Sequence, residues 1–469
     1  MKLTEEQKKF IYFDGKESVI LKATAGSGKT WCCVQRLKYL LKKGVKPEKI
    51  IFFSYTNAAV NELKERIEND SIKITTIHSF CMGFLKRIGK AKEPVTFFDF
   101  ISWYRKKRLP VEKEEQEIFE EQISLIYDEA DYFSSKISSY KLQMADDILV
   151  SKIPDYLDDY NEFLEETNGM DFCDMLIETK KYLKDNRYLR MIKNQYDYIF
   201  VDEYQDTSTV QMDILLRLNA KYYYIIGDVN QSIFSYSGAS CEKIEEMLQT
   251  RRKTLPMSLS TNFRSATSII ENSNKYSSLK AVPHHEHPGK VKLGLLYFNE
   301  LEEMIRKDER EVAILVRTNE VIRKLEMEFL KRRVPIRYFN YINPDEIKKI
   351  KSNKTEKRID KKLKILKPFF DDDHAKIVQF IEQNKNQKSF ITTIHKSKGR
   401  EFDICTVVNS LSPEIVDYNE LKNKLSEELL EYFSFDSKSE EDFESKNVHY
   451  VAISRPKEEL YFMLYIPKS

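Results

Sequence analysis

The sequence predicts an α/β fold, and two observations predict it. Short apolar runs rich in β-branched and aromatic residues alternate with longer charged, amphipathic stretches along most of the chain, the pattern of parallel strands joined by crossover helices. One such run, residues 18–23, leads through Thr24, Ala25, Gly26, Ser27 and Gly28 to Lys29 and Thr30, and a helix-like segment follows from Trp31 to Lys43. Strand, glycine-rich loop and helix thus occur in the order that phosphate binding uses.

In chain order the strand candidates are residues 18–23, 49–55, 72–76, 196–202, 222–226, 254–258, 311–316, 390–394, 404–408 and 459–466. Between residues 82 and 185 no such signal appears; the stretch is helical in character and heavily charged, which predicts an inserted helical domain. Residues 345–387, rich in Lys, predict a smaller helical insertion or partner-binding arm, and 421–445 an acidic mixture of helix and loop. No repeat at a fixed 20–50-residue period is visible.

Composition narrows the classes. At ~150 residues per domain, 469 residues make about three domains or two large ones with insertions. The longest apolar runs, such as 222–226, fall far short of the ~18 residues of a membrane span, and no signal peptide opens the chain. The six cysteines form no CxxC pair. A soluble, reduced, cytoplasmic protein without a metal cluster or membrane partner is expected. A net charge of +2 argues neither for nor against nucleic acid. Glycine, at 12 residues where average usage gives about 33, is expected where backbone geometry demands it.

Gly26 and Gly28 allow backbone N–H groups to turn toward phosphate oxygens, Lys29 can bridge the β- and γ-phosphates, and the Thr30 hydroxyl can ligate Mg²⁺. The general phosphate-loop pattern has Gly where this chain has Ala23. The second half of such a site is an acidic pair ending another strand, supplied by Asp202 and Glu203. Asp202 is expected to hold Mg²⁺ and Glu203 to orient or deprotonate the attacking water.

The run Val201-Asp202-Glu203-Tyr204-Gln205-Asp206-Thr207 resembles superfamily 1 helicases of the UvrD/PcrA/Rep type. Further segments agree in order: residues 3–7 resemble the adenine-reading Q motif, 54–66 motif Ia, 76–80 the element after it, 226–239 motif III, 261–265 motif IV, 312–319 motif IVa, 393–403 motif V and 450–460 motif VI. The resemblance implies two RecA-like cores with ATP between them. Residues 1–81 and 186–253 would form core 1A around the helical insertion 1B at 82–185. Residues 254–344 and 389–469 would form core 2A around a much reduced 2B-like insertion at 345–388.

Residue roles carry over one at a time. Gln7 would read the adenine, Phe263 stack on it and Glu401 bind the ribose. Gln231 would sense the γ-phosphate, and Arg264 and Arg455 act as arginine fingers. Three departures stand out. Trp31 replaces a common Arg and would stack on the base or pack in the core. Tyr236-Ser237-Gly238 lacks the arginine of the family's Trp-Arg-Gly. Pro456 follows the motif VI finger, where it would distort the turn or start a helix.

For single-stranded DNA, Tyr55, Phe234 and Tyr236 fall at family positions that stack on bases. Thr56, Asn57, Thr76, His78, Thr393 and His395 fall at phosphate-contacting positions, although either histidine could equally be a neutral structural hydrogen bonder. The short interval between Asn319 and Phe390, and a chain ending at Ser469 soon after motif VI, suggest a helicase-like subunit completed by a separately encoded nuclease. Small UvrD-like chains of this kind resemble the helicase-like subunit of Gabija anti-phage defence systems. Two functions follow as expectations: an ATP-dependent, DNA-stimulated 3′→5′ motor acting on single-stranded or tailed duplex DNA in defence or repair, or a nucleotide- and DNA-sensing regulatory subunit of a nuclease complex.

Overall fold

The computed structural model describes residues 3–128, 130–146, 153–233, 240–296, 298–338, 341–342, 344–352, 357–408 and 443–463. It forms two units: residues 1–23 with 28–259, and residues 24–27 with 260–469.

The first unit holds a six-stranded parallel sheet in the order Lys73–Thr75, Ile50–Phe53, Tyr198–Asp202, Tyr222–Gly227, Ser18–Ala23, Thr254–Leu259. These strands read as nearly continuous apolar runs because helices cover both sheet faces. One face packs with Phe10, Leu37 and Leu63, the other with Phe80, Leu176 and Leu215. Thr254–Leu259 pairs along its whole length with Ser18–Ala23, so it closes the first sheet, where sequence reading placed it at the start of the second core. Its alternating exposure, typical of an edge strand, carries no mark of which sheet it joins.

The inserted helices Phe97–Lys107, Lys113–Asp128, Ala130–Ala145 and Leu157–Glu166 have their own aromatic core around Phe100, Phe119 and Phe163. Helices Ile77–Arg87 and Phe172–Tyr182 pack on the first sheet. The separate body is therefore shorter than the expected 82–185.

The second unit is also α/β, with a five-stranded parallel sheet in the order Lys290–Leu296, Pro456–Met463, Phe402–Val408, Val312–Val316, Phe390–Thr393. Lys290–Leu296 went unread in the sequence because its lysines and glycine break the apolar run. The interval expected to be a 2B-like insertion behaves differently: Ile359, Leu363, Leu366, Ile377 and Ile381 join Val312, Ile314 and Phe329 in one apolar cluster. Helices Lys357–Leu366 and His374–Gln383 are thus part of the second core, with Lys364 and Lys376 on the exposed side of amphipathic helices and Lys362 paired with Glu346 at 2.8 Å. Pro456 starts a strand, in register with Phe402, where sequence reading offered a distorted turn or a helix start. A proline costs least at a strand's first residue, where no ladder hydrogen bond is owed. Most of residues 421–445 lie outside the described residues. Among the described residues no helix is long and apolar enough to cross a membrane.

Candidate functional site

In the first unit, three neighbouring strands end in the residues of interest: Ser18–Ala23 runs toward the glycine-rich loop, Tyr198–Asp202 toward Glu203, and Tyr222–Gly227 toward Asp228. Carboxyl ends of parallel strands are where open α/β sheets bind ligands. Gly28 caps helix Lys29–Lys42 in the left-handed region at φ 78°, a conformation that only glycine adopts cheaply. This sets Lys29 and Thr30 in the first helical turn.

Lys29 Nζ lies 3.2 Å from both carboxylate oxygens of Glu203. Burial alone would lower the lysine pKa, but the carboxylates of Glu203, Asp228 and Asp202 outweigh it and raise it. Asp202 is buried, and desolvation followed by the Glu203 charge pushes its pKa upward against Lys29. Glu203 sits at φ 55°, and its N–H donates to Asp202 Oδ1 at 3.0 Å.

Gln205 and Asp228, absent from the sequence-based site, tie the group together. Gln205 Nε2 donates to Glu203 Oε2, while its Oε1 accepts from Asp228 N at 3.2 Å. Asp228 in turn accepts from Gln231 Nε2 at 2.8 Å. A Cβ on Gly227 would stand 2.1 Å from Gln205 Oε1, which explains that glycine. The signal for both lay inside the quoted motifs, where each reads as a spacer.

Buried carboxylates and a hydroxyl suit a nucleotide-bound Mg²⁺, which takes one or two protein oxygens and completes its shell with phosphates and water. Thr30 and Asp202 would supply them. Among the described residues no cluster of three or more His, Cys, Asp or Glu could hold a metal by itself.

Gln7 is buried, and its side chain closes a capping box with Thr4. Trp31 is 40% exposed, so it is not core. Ala23, Thr24, Ala25 and Ser27 are buried, and Ser27 Oγ donates to Thr24 O at 2.7 Å. Within the grouping of residues 24–27 with the second unit, Asn262 Nδ2 donates to Ala25 O at 2.9 Å and Phe263 N to Gly26 O at 2.9 Å. A Cβ on Gly26, at φ 71°, would lie 2.7 Å from Asn262 Oδ1.

The second unit also brings Arg264 and Glu401 together, Nε to Oε2 at 2.6 Å, with Lys457 Nζ 3.7 Å from Glu401 Oε1. Arg455, expected as a finger, is 1% exposed. It donates to Val451 O at 2.9 Å, Arg400 O at 3.2 Å and Ser454 Oγ at 3.0 Å.

Of the expected DNA contacts, Tyr55 is exposed beside a cleft that His78, Thr207, Gln211 and Asp202 also line. Thr56, Thr76 and Thr393 share a role the sequence did not disclose. Each is an N-cap whose hydroxyl accepts from a backbone N–H in the first turn; Thr76 and Thr393 are buried, and the Thr76 hydroxyl donates to Ser79 Oγ at 2.9 Å. Helix N-termini favour anions. Asn57 opens the helix that Thr56 caps. Burial lowers the pKa of His78 and of His395 to about 4, which keeps both rings neutral at pH 7. Phe234 and Tyr236 lie outside the described residues. A further aromatic, Phe172, is 58% exposed with its ring 5.3 Å from that of His78.

The charged stretch around Trp103 to Arg108 is engaged within the insertion: Trp103 Nε1 donates to Glu166 at 2.9 Å, and Arg108 pairs with Asp159 and Glu162 at 2.6 Å each.

Residues 3–252 match the UvrD/REP helicase N-terminal domain, and residues 347–466 the UvrD-like helicase C-terminal domain. Similar proteins include a probable DNA helicase II homolog of Mycoplasma capricolum, 28% identical over 70% of this chain and 51% of its own length. An ATP-dependent DNA helicase PcrA of Staphylococcus epidermidis is 27% identical over 68% of this chain and 48% of its own. An ATP-dependent DNA helicase Rep of Buchnera aphidicola is 27% identical over 71% and 54%. The chain spans about half the length of these relatives.

Proposed function

The chain belongs to the UvrD/REP helicase family, and from that premise we propose that it hydrolyses ATP with Mg²⁺ and uses the cycle to move 3′→5′ along single-stranded DNA. The observation that carries this reading is the Lys29–Glu203 pair, which follows two strands of the first sheet that flank Tyr222–Gly227 and is linked through Gln205 to Asp228 and Gln231. Triphosphate entering the glycine-rich loop offers Lys29 a stronger anion than Glu203. Lys29 then binds the β- and γ-phosphates, and the released Glu203 carboxylate accepts a proton from the attacking water. Mg²⁺ held by Thr30 and Asp202 would neutralise charge on the phosphates. Gln231, fixed by Asp228, faces the γ-phosphate, Gln7 and Phe263 hold the adenine and Glu401 the ribose. Arg264 is the finger nearer the surface; Arg455 acts from an interior setting.

DNA would cross Tyr55, Phe172, Phe234 and Tyr236, with phosphates at the capped helix starts of Thr56, Thr76 and Thr393, at Asn57, and at neutral His78 and His395. A small cleft of about 20 Å³ that Tyr55, His78 and Asp202 share supports coupling between the proposed DNA contacts and the hydrolytic carboxylate. Steady-state ATPase with and without single-stranded DNA tests the reading; turnover indifferent to DNA, with no movement on tailed duplex, refutes it.

A second reading, a regulatory subunit with little unwinding of its own, is favoured by the folding of residues 357–383 into the second core. We infer a separately encoded nuclease as partner, in an anti-phage role of the Gabija type. Co-purification from the native host followed by light scattering tests it, and a lone monomer that unwinds at full rate argues against it.

A further inference from the structure

We propose that His284 is a positioning residue that holds the ring of Phe263 in the orientation needed to stack on the nucleotide base; this rests on the reading of Phe263 as the base-stacking residue. The two-residue strand Val282–Pro283 lies parallel to Thr261–Asn262, with Val282 opposite Thr261 and Pro283 opposite Asn262. Val282 N donates to Ser260 O and His284 N to Asn262 O, both at 2.9 Å. Successive residues of a strand point their N–H groups to opposite sides, so Pro283, which has none, occupies the position that owes this neighbour no hydrogen bond.

That pairing delivers the His284 imidazole against Phe263, with ring centroids 4.4 Å apart and planes inclined at 45°. His285 closes on the far ring at 4.3 Å, edge to face. The Phe263 backbone is fixed separately: its N–H donates to Gly26 O, and Asn262 Oδ1 accepts from Arg264 N and Ser265 N at 2.8 and 2.9 Å. With the backbone fixed, the ring's remaining freedom is side-chain rotation, and the imidazole restricts it. A base then meets a pre-oriented platform and spends less binding energy on ordering it.

The test uses the full chain, DNA-stimulated ATPase, and inorganic tripolyphosphate as a competitor that has no base. His284→Ala should raise the KM for ATP about threefold to tenfold with kcat changed less than twofold, leave inhibition by tripolyphosphate as it was, and be rescued by His284→Phe. Phe263→Ala should raise KM by at least as much. A normal KM in His284→Ala beside a raised KM in Phe263→Ala overturns the inference and leaves the base-stacking reading standing. A normal KM in both removes the base-stacking reading itself. If His284→Ala weakens tripolyphosphate as much as ATP, or His284→Phe fails to rescue, the residue supports the loop generally and the proposal is wrong.

Discussion

Arg264 and Glu401 are ion-paired within the second unit, Nε to Oε2 at 2.6 Å, although the family resemblance gives one a duty on the phosphates and the other on the ribose. Each group therefore neutralises the other, and the proposed nucleotide roles require the pair to open. Both are partly exposed, so the pair itself contributes little, ~0–1 kcal/mol, and its opening is no obstacle to binding.

Arg264→Ala is expected to lower kcat by roughly 10³ with little change in melting temperature, because it removes a partly exposed pair. Arg455→Ala should lower kcat and also destabilise the fold by about 2–4 kcal/mol, since the deletion empties the space of a buried side chain and removes its bonds to Val451 O and Arg400 O. Paired kinetics and thermal melts check both; equal losses of stability would show that the two arginines are not differently lodged.

Lys29→Ala should abolish turnover and lower the stability of the nucleotide-free protein by roughly 2–4 kcal/mol, because it strands buried carboxylates. Adding Glu203→Gln should restore part of that stability, while Glu203→Gln alone keeps ATP binding and loses hydrolysis. Additive melting shifts in the double variant would refute the coupling.

Tyr55→Ala and Phe172→Ala should each weaken single-strand binding by ~1–3 kcal/mol and raise the DNA concentration needed for half-maximal ATPase. The logarithm of affinity should fall with that of salt at about −0.7 per phosphate neutralised. Fluorescence anisotropy measures both, and wild-type affinity in the two variants would place the strand elsewhere.

Acid should destabilise the protein before its carboxylates titrate. Burial holds His449 to a pKa of about 4 between the rings of Tyr276 and Phe462, against about 6.5 when unfolded. As pH falls below 6.5 the unfolded chain takes up a proton that the folded one refuses, so the loss grows to about 3 kcal/mol near pH 4. His78 and His395, held as low, add to this slope, so melting curves from pH 7.5 to 5 should be steeper than one group gives and His449→Gln should remove about a third of the slope; an identical slope in the variant would assign it to other groups.

Much of the candidate site was legible because its residues are local in sequence. Lys29 and Thr30 follow their strand directly, and Asp202 and Glu203 end another, so spacing alone placed them. What escaped depends on partners distant in the chain. Thr254–Leu259 looks the same whichever sheet it joins, and pairing with Ser18–Ala23 decides. The lysines of 357–364 hid an apolar stripe that belongs to the second core. Arg455 carries no mark of burial, because the carbonyls that hold it become acceptors only after the chain turns.

The backbone at Glu203 has a consequence for how this chain can change. Its φ of 55° costs a residue with a Cβ of order 1–2 kcal/mol, which glycine would not incur and asparagine would reduce. A screen for heat resistance at this position would therefore enrich glycine and asparagine, and each enriched clone would lack the carboxylate that takes the proton from water. Under the proposed mechanism, selection for hydrolysis holds the residue against that gradient, so relatives freed from turnover should drift here first.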